Sequence, residues 1–253
     1  MDLGLGGKRA MILGGSRGIG SYTARLLAEE GCSVALCARG ADGVSQAIET
    51  LGGTTSGNHF GAAADLSDGH ATREFVSKSI AELGGLDLLI HSASGFDSIG
   101  DEEGWARSFQ VDMMAPVRAV EEALPALKES DAASITFIGS MASKYYFRRR
   151  NSYGPAKAAM RAYANELAQN FGRDGIRCNV VSPGAVYFPG GEWDIVKQEK
   201  PDFYRNVEKI IPLGRLGSAE ELARIIAFVA SPAGIWINST HIAADGGQVA
   251  AVD

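Results

Sequence analysis

The chain has 253 residues, of which 45% are hydrophobic and 21% are charged, and its formal net charge is −6. This composition is typical of a globular protein with a sizeable core, and its acidic balance argues against nucleic acid as the main partner, because phosphate binding needs a basic surface. The first residues lack the charged and apolar regions of a signal peptide, and no apolar run approaches the roughly 20 residues of a membrane span. We therefore expect a cytoplasmic protein with no membrane partner.

Short apolar runs alternate with longer segments of helical periodicity along the chain. The predicted strands are RAMILGG, SVALCAR, HFGAAADL, LDLLIHSAS, SITFIGS, IRCNVVSPG and HIAADGG. The predicted helices are 21–31, 44–51, 71–83, 102–128, 152–171 and 219–230, and an aromatic, irregular stretch precedes the last of them. Cys32, Cys37 and Cys178 fall in apolar surroundings, which predicts buried, reduced thiols.

Strands and helices that alternate in this way indicate βαβ units and an α/β fold, a doubly wound parallel sheet with helices on both faces. We see no linker or repeat and predict a single domain over 1–253. Ligands of such sheets bind at the carboxyl ends of the strands. One site is therefore expected where Gly14 to Gly20, Arg39, Asp65, Ser92, Ser140 and Pro183 follow their strands. Three of the four histidines, His59, His70 and His241, are scattered without the spacing of metal ligands, so no metal site is expected.

The segment GGSRGIG follows the first predicted strand and opens the first predicted helix. Gly14 would make the tight turn, Gly18 would admit a pyrophosphate, and Gly20 would let the helix pack on the strand. The amides at the start of that helix would face the anion. This spacing differs from the dinucleotide fingerprint G-x-G-x-x-G, and a plain turn between strand and helix remains the alternative.

Two arginines point to the kind of nucleotide. Sheets that bind NAD carry an acidic residue after the second strand, which bonds the ribose 2′-hydroxyl, whereas arginine suits a 2′-phosphate. Here Ala38 and Arg39 occupy that place, and no carboxylate follows until Asp42. Arg17 and Arg39 could hold a 2′-phosphate from two sides, which predicts NADP(H). The alternative is two solvated surface arginines.

Tyr153 and Lys157 lie four residues apart in a predicted helix, and hence on one face. Tyrosine, with a pKa near 10, is a poor base at neutral pH. A lysine one turn away would favour the phenolate and lower that pKa towards the working range. Ser140 ends the preceding strand and could hold a substrate carbonyl oxygen while Tyr153 protonates it. A Tyr-x-x-x-Lys pair alone also occurs by chance in many helices.

Taken in order, GGSRGIG, ADLSD, Ser140, SYGPAK and NVVSPG resemble the short-chain dehydrogenase/reductase family over essentially the whole chain. The resemblance is closest to the NADP(H)-dependent 3-oxoacyl-ACP-reductase-like members. It implies a Rossmann-type fold and a homotetramer or homodimer built on helices 102–128 and 152–171. It also implies that Ser140, Tyr153 and Lys157 are catalytic. The implied cofactor contacts are Gly14, Ser16, Arg17, Gly18, Ile19, Gly20, Arg39, Asp65, Leu66, Ser92, Ala93, Tyr153, Lys157, Pro183, Gly184 and Val186.

The sequence departs from the family pattern at three positions. His91-Ser92-Ala93-Ser94 replaces Asn-Asn-Ala-Gly, and Leu13 replaces a threonine, changes that we expect to alter stability rather than activity. We expect His91 to be a packed side chain rather than a catalytic one. Asp112 stands at the family's catalytic asparagine and is therefore expected to be the fourth catalytic residue. Its backbone carbonyl could keep the asparagine's role, or its carboxylate could raise the pKa of Lys157.

Two segments bear on the substrate. Arg148, Arg149 and Arg150 could meet an anionic substrate, or they could be solvated or intersubunit arginines. The segment at about 186–213 falls where the family keeps a substrate lid, and its aromatic residues are Tyr187, Phe188, Trp193 and Phe203. They suggest an apolar or ring-containing substrate, and the alternative is that they only pack the lid shut. We predict an NADPH-dependent carbonyl reductase acting on a 3-oxoacyl thioester or a cyclic ketone. An alcohol dehydrogenase on a sterol, sugar or cyclic alcohol and a nucleotide-sensing pseudoenzyme are the alternatives.

Overall fold

The computed structural model describes residues 1–55, 57–96, 99–146 and 151–250. Seven strands form the main sheet: β1 Arg9–Leu13, β2 Ser33–Ala38, β3 Phe60–Ala63, β4 Leu88–His91, β5 Ser134–Ile138, β6 Arg177–Pro183 and, last in the chain, β9 His241–Ala244. Two short strands, β7 Val186–Tyr187 and β8 Gly217–Ser218, pair with each other beside it. All pairs in the main sheet are parallel, in the order β3-β2-β1-β4-β5-β6-β9. The predicted doubly wound sheet is confirmed.

Helices cover both faces of this sheet. Their bounds are α1 Gly18–Glu29, α2 Ala41–Thr54, α3 Gly69–Leu83, α4 Glu102–Phe109, α5 Ala115–Lys128, α6 Tyr153–Phe171, α7 Glu192–Glu199, α8 Pro201–Ile210 and α9 Ala219–Ala230. Alternate residues of a strand point to opposite faces, and β1 shows the result. Met11 and Leu13 join a core formed with α3, α5 and α6, whereas Ala10 and Ile12 join one formed with α1, α2 and α9. The buried sheet thus holds every strand end in a fixed place.

The predicted helix over 102–128 is wrong in one respect, because a π-helical turn at Gln110–Met114 separates α4 from α5. One row of buried positions across this region consists of Gly104, Ser108, Asp112, Ala115, Ala119 and Ala123. Their three- and four-residue spacing is that of an uninterrupted helix. The sequence pattern therefore conceals the extra residue that the π turn accommodates.

The stretch predicted to be irregular contains the two helices α7 and α8. These helices have a small core of their own, separate from the two cores of the main sheet, in which Tyr204, Val207 and Ile211 pack with Ala185 and Leu216. The first three recur at helical spacing, which is the local sequence signal for α8. The segment that follows β6 is thus an ordered helical pair beside the sheet.

The three cysteines are buried and unpaired, as predicted. Burial raises the pKa of the Cys32 thiol and the Cys37 thiol to about 12, so both stay protonated and unreactive at neutral pH. Among the described residues, no helix has the length and apolar character that crossing a membrane requires.

Candidate active site

Backbone hydrogen bonds tie the loops that follow β1 and β4 to the ends of the neighbouring strands. The amides of Gly14 and Gly15, after β1, both donate to the Cys37 carbonyl of β2 at 3.0 Å. The amides of Ser92 and Ala93, after β4, donate to the Leu13 carbonyl at 2.8 and 2.9 Å. These bonds fix the loops around one opening at the carboxyl edge of the sheet.

That opening is a cleft of about 930 Å³. Every cofactor or catalytic residue expected from the sequence lines it except Gly20 and Asp112. The expected residues that line it are Gly14, Ser16, Arg17, Gly18, Ile19, Arg39, Asp65, Leu66, Ser92, Ala93, Ser140, Tyr153, Lys157, Pro183, Gly184 and Val186. Gly20 packs against the Gly14 carbonyl, and Asp112 is fully buried against Lys157. The structure therefore gathers the predicted residues at one site.

The glycine loop has the shape of an anion cradle. Gly14 adopts φ +89°, which favours glycine, and a Cβ there would lie 2.6 Å from the Ala93 amide nitrogen. The N-cap residue of α1, Arg17, makes no side-chain capping bond, so it leaves the first amides of the helix to other acceptors. Such a helix start suits a phosphate. The loop thus fits the pyrophosphate of a dinucleotide.

Charged groups lie farther along the cleft, beyond the ends of β2 and β3. Arg17 and Arg39 are both exposed at its wall. The Asp65 carboxylate accepts from the backbone amide and the hydroxyl of Ser67 at 2.9 and 2.8 Å. These two bonds, with a smaller contribution from Arg39, hold the pKa of Asp65 below its usual range. Two guanidinium groups at this end fit a 2′-phosphate.

The start of α6 carries Tyr153 towards Ser140 at the other end of the cleft. Gly154 permits this approach, since a Cβ there would lie 2.8 Å from the Ala142 carbonyl oxygen. The Ser140 hydroxyl accepts from the Ala142 amide at 3.1 Å and keeps its own hydrogen to donate. Ser140 can therefore bond a carbonyl oxygen that Tyr153 also reaches.

A second contact fixes the same helix start from α4. The Ser152 hydroxyl donates to the Gly104 carbonyl at 3.0 Å and lies 2.8 Å from the Ser108 hydroxyl. Because the hydrogen of Ser152 is directed at Gly104, Ser108 is the donor to Ser152. Both serines are buried, so this chain of bonds holds the residue before Tyr153 in place.

Lys157 is almost completely buried at the base of the cleft. Its Nζ donates to the Ile138 carbonyl at 2.8 Å, lies 2.9 Å from Asp112 Oδ1 and stands 5.7 Å from the centroid of the Tyr153 ring. Burial acts to lower the pKa of Lys157, but the charges of Asp112 and Tyr153 raise it above its usual value. The geometry agrees with the expected alternative in which the Asp112 carboxylate, rather than only its backbone, acts on the lysine.

Comparison with known proteins agrees with this arrangement. A family model described as enoyl-(acyl carrier protein) reductase matches residues 14–248. The chain is 33% identical over 250 residues to isoepoxydon dehydrogenase patN of Penicillium expansum, covering 98% of this chain and 96% of that protein. The chain belongs to the short-chain dehydrogenase/reductase family. It is accordingly an oxidoreductase of the class that acts on carbonyl or alcohol groups.

Two further members of the family are informative. The chain is 29% identical to cis-4-hydroxycyclohexanecarboxylate dehydrogenase of Sinomonas cyclohexanicum, covering 95% of this chain and 96% of that protein. L-sorbose reductase from Gluconobacter frateurii, solved with NADPH and L-sorbose, superimposes with a TM-score of 0.91 at 25% identity over the whole of both chains. The family therefore includes proteins named for a cyclohexane substrate and for a sugar substrate.

Two departures from the family pattern face each other in the structure. Leu13 and His91 are partners in the register of β1 and β4. His91 is fully buried, and its ring meets Phe137 edge-on at 6.5 Å. Burial, aided by the charge of Lys157, lowers the pKa of His91 to about 3, so the ring is neutral. This placement agrees with the expected packed histidine.

Sequence reasoning missed Phe96, which belongs to the loop after β4. Its ring meets that of Tyr153 edge-on at 5.1 Å, and half of its surface remains exposed. Phe188 and Trp193, which were expected from the lid, line the same cleft. An aromatic residue in a glycine-containing loop directly after a strand was the signal available in the sequence. Arg148, Arg149 and Arg150 lie outside the described residues.

Proposed function

We propose that this protein is an NADP(H)-dependent oxidoreductase that reduces a ketone on a ring-shaped substrate to a secondary alcohol. The observation that carries this proposal is the convergence of Ser140, Tyr153 and Lys157 at one end of a cleft whose other end presents Arg17 and Arg39. Fold resemblance alone would not support it, because function depends on the site.

The roles of the side chains follow from their chemistry. Bound NADPH would supply the hydride to the carbonyl carbon. Ser140 donates a hydrogen bond to the carbonyl oxygen, and Tyr153 transfers its phenolic proton to that oxygen. The Lys157 cation stabilises the phenolate that remains. Reading the same steps in reverse gives oxidation of an alcohol, with the Tyr153 phenolate as the base.

The walls of the cleft near Tyr153 support an apolar ring. Phe96 stands against Tyr153, and Trp193 comes from the segment after β6, whereas Phe188 of that segment packs on Gly18 in the glycine loop. Aromatic faces of this kind bind rings through apolar contact. The relative named for a hydroxycyclohexanecarboxylate substrate supports the same class. A relative from Pseudomonas aeruginosa that is named as a 3-oxoacyl-[acyl-carrier-protein] reductase, 30% identical over 258 residues, keeps a 3-oxoacyl thioester as the second candidate.

A substrate panel tests this proposal. Substituted cyclohexanones, a 3-oxoacyl thioester and an open-chain ketone of equal carbon count are offered with NADPH, and the loss of absorbance at the reduced-cofactor band is followed. The corresponding alcohols are offered with NADP⁺. We expect the cyclohexanones to give the highest kcat/KM. A preference for the thioester would support the second candidate, and no turnover of any compound would contradict both.

Two other functions remain as alternatives. An alcohol dehydrogenase on a sterol, sugar or cyclic alcohol would use the same residues in the oxidative direction. A nucleotide-sensing pseudoenzyme is suggested by Leu13, His91 and Asp112. Against a sensor stands the retention of Ser140 and the ordered contact between Lys157 and the Tyr153 ring, which binding alone does not require.

We further propose a homotetramer or homodimer formed through α4, α5 and α6. Trp105 and Met114 are 39% and 36% exposed in this region, and Ala158 and Ala162 are exposed on α6. Small and apolar residues on helix surfaces permit close packing of helices. Sedimentation of the purified protein measures the assembly directly, and a monomer at micromolar concentration would contradict this proposal.

A further inference from the structure

A buried carboxylate joins two parts of the active site beneath the cleft. Asp112 has no exposed surface. Its Oδ1 lies 2.9 Å from Lys157 Nζ on α6, and its Oδ2 accepts from the Gly95 amide at 3.0 Å, in the loop after β4. Burying a carboxylate is costly unless it is paired and hydrogen-bonded. The Oδ1 of Asp112 is paired with an ammonium, and its Oδ2 is hydrogen-bonded to an amide.

The backbone around Asp112 brings it to this place. Asp112 is the middle residue of the π-helical turn Gln110–Met114, and turns of this kind are frequent at functional sites. Gly95 approaches α4 so closely that a Cβ there would lie 2.6 Å from the Arg107 carbonyl oxygen. The two segments therefore meet with the carboxylate between them. The next residue in the loop, Phe96, is the one whose ring contacts Tyr153.

The groups around Lys157 come from four elements. Asp112 faces it from the π turn, Tyr153 from one turn earlier on α6, His91 from β4, and the Ile138 carbonyl from β5. The His91 ring is neutral, because burial lowers its pKa to about 3. Of these groups, Asp112 carries the negative charge that offsets the buried ammonium.

We propose that Asp112 is a positioning residue whose carboxylate holds Lys157 as a cation beside Tyr153 and fastens the Gly95 loop that carries Phe96. One carboxylate thus fixes both Lys157, which acts on Tyr153, and the loop whose Phe96 forms one wall of the substrate site. The consequence for turnover rests on the proposed function. The effect of Asp112 on Lys157 does not, and it can be measured without substrate.

Titration of Lys157 by NMR provides that measurement. Protein labelled at the lysine ε-carbons is titrated, and the Lys157 signal is identified by its loss in Lys157→Met. In the parent protein we expect the signal to stay that of an ammonium up to about pH 10. In Asp112→Asn, which keeps the shape of the side chain, the pKa should fall by about one to three units, because the nearby opposite charge is gone. A parent Lys157 that titrates below pH 10 would overturn the proposal without any variant.

A matched control is Asp87, a buried carboxylate at the amino end of β4. It accepts from Arg9 and from Ser130 at 2.9 and 2.6 Å, far from the cleft end of the same strand. Asp87→Asn should reduce stability but leave the Lys157 signal unchanged. With any active substrate, the alkaline limb of the kcat profile should move to lower pH in Asp112→Asn only. The proposal fails if Asp112→Asn leaves the signal and the limb at their parent values, or if Asp87→Asn shifts them equally.

Discussion

Arg39 is the residue on which the proposed preference for NADP(H) depends. It follows β2 and lines the cleft together with Arg17, while Ala38 offers no acceptor to a ribose hydroxyl. Hydrogen bonds to charged groups are each worth roughly 1.5–3 kcal/mol. We therefore expect Arg39→Ala to weaken NADPH binding about 10- to 150-fold, at ~1.4 kcal/mol per decade, and to leave NADH binding almost unchanged. Calorimetric Kd values for both cofactors provide the measurement.

The control for this comparison is Arg25→Ala. Arg25 lies on α1 and pairs with Glu29 at 3.4 Å, and its removal should leave both affinities unchanged. Ala38→Asp should also weaken NADPH binding, because a carboxylate there repels a phosphate, and it should strengthen NADH binding, because the carboxylate accepts from a ribose hydroxyl. A parent protein that binds NADH as tightly as NADPH would contradict the assignment of NADP(H).

His91 makes the stability of the fold depend on pH. Its folded pKa of about 3 lies below the usual 6.5. Below pH 6.5 the unfolded chain therefore binds a proton at His91 that the folded chain does not bind. The free energy of unfolding is highest above pH 6.5 and decreases as the pH falls. Between pH 7 and pH 5 this loss amounts to about 2 kcal/mol. We expect His91→Asn to show a correspondingly smaller fall in unfolding free energy over that interval.

Urea unfolding at the two pH values checks this prediction. His70→Asn is the control, since the His70 side chain is 88% exposed, and its variant should keep the parent's pH dependence. Identical slopes for the parent and His91→Asn would show that His91 is not the buried neutral group described here.

At the scale of residues, the sequence predicted which side chains line the cleft but not all of their contacts. Ser140 follows a predicted strand, Tyr153 and Lys157 share one face of a predicted helix, and the family motifs around them single out all three. The contact between Phe96 and Tyr153 depends on how the loop after β4 folds back, which no local pattern records. The pairing of Asp112 with Lys157 joins positions 45 residues apart in the chain, and so depends on tertiary packing.

The helices were predictable where one face is buried and the other exposed, and the central strands were predictable as continuous apolar runs because both of their faces are buried. The helix at 219–230 is confirmed with its bounds, and its start has a capping box between Ser218 and Glu221. The π turn at Gln110–Met114 was not predictable, because the spacing of buried residues continues through it. The helices α7 and α8 were missed because few of their residues are apolar, and those few pack into a small core separate from the main sheet.

The end of α9 depends on a residue from β6. The Arg177 guanidinium is buried and donates to the carbonyls of Val229, Ala230, Ser231 and Ile237 at 2.8 to 3.1 Å. The first three lie at the carboxyl end of the helix, where acceptors lack partners within the helix. A cation there also suits the helix dipole.

Arg177→Met should therefore destabilise the protein by at least about 3 kcal/mol, since several buried carbonyls each lose a bond worth roughly 1–3 kcal/mol. The unfolding free energy of Arg177→Lys should lie between those of the parent and Arg177→Met, because an ammonium keeps the charge but cannot reach four carbonyls as the planar guanidinium does. Arg224→Met, an exposed change on the same helix, should alter stability by less than about 0.5 kcal/mol. Equal unfolding free energies for Arg177→Met and Arg224→Met would refute this account of the helix end.

For the whole molecule, alternation of strand and helix was sufficient to predict the architecture. A parallel sheet with helices on both faces brings residues from β1, β2, β3, β4, β5 and β6 to one edge, so residues that follow strands converge without any pairwise information. The identity of the substrate depends on the walls of the cleft, which come from the loop after β4 and the segment after β6. These walls are set by packing that the sequence pattern does not express.

The central claim is that this cleft transfers hydride from NADPH to a ketone while Tyr153 supplies the proton. The most direct test offers NADPH deuterated at C4, in each epimer separately, together with a cyclohexanone that the panel identifies as a substrate. The product alcohol is then analysed by mass spectrometry. We predict deuterium on the carbinol carbon with one epimer, and product formation reduced at least about 100-fold in Tyr153→Phe, because acid catalysis contributes typically ~10²–10⁴-fold. An alcohol without deuterium from either epimer, or a Tyr153→Phe protein that turns over within threefold of the parent, would contradict the claim.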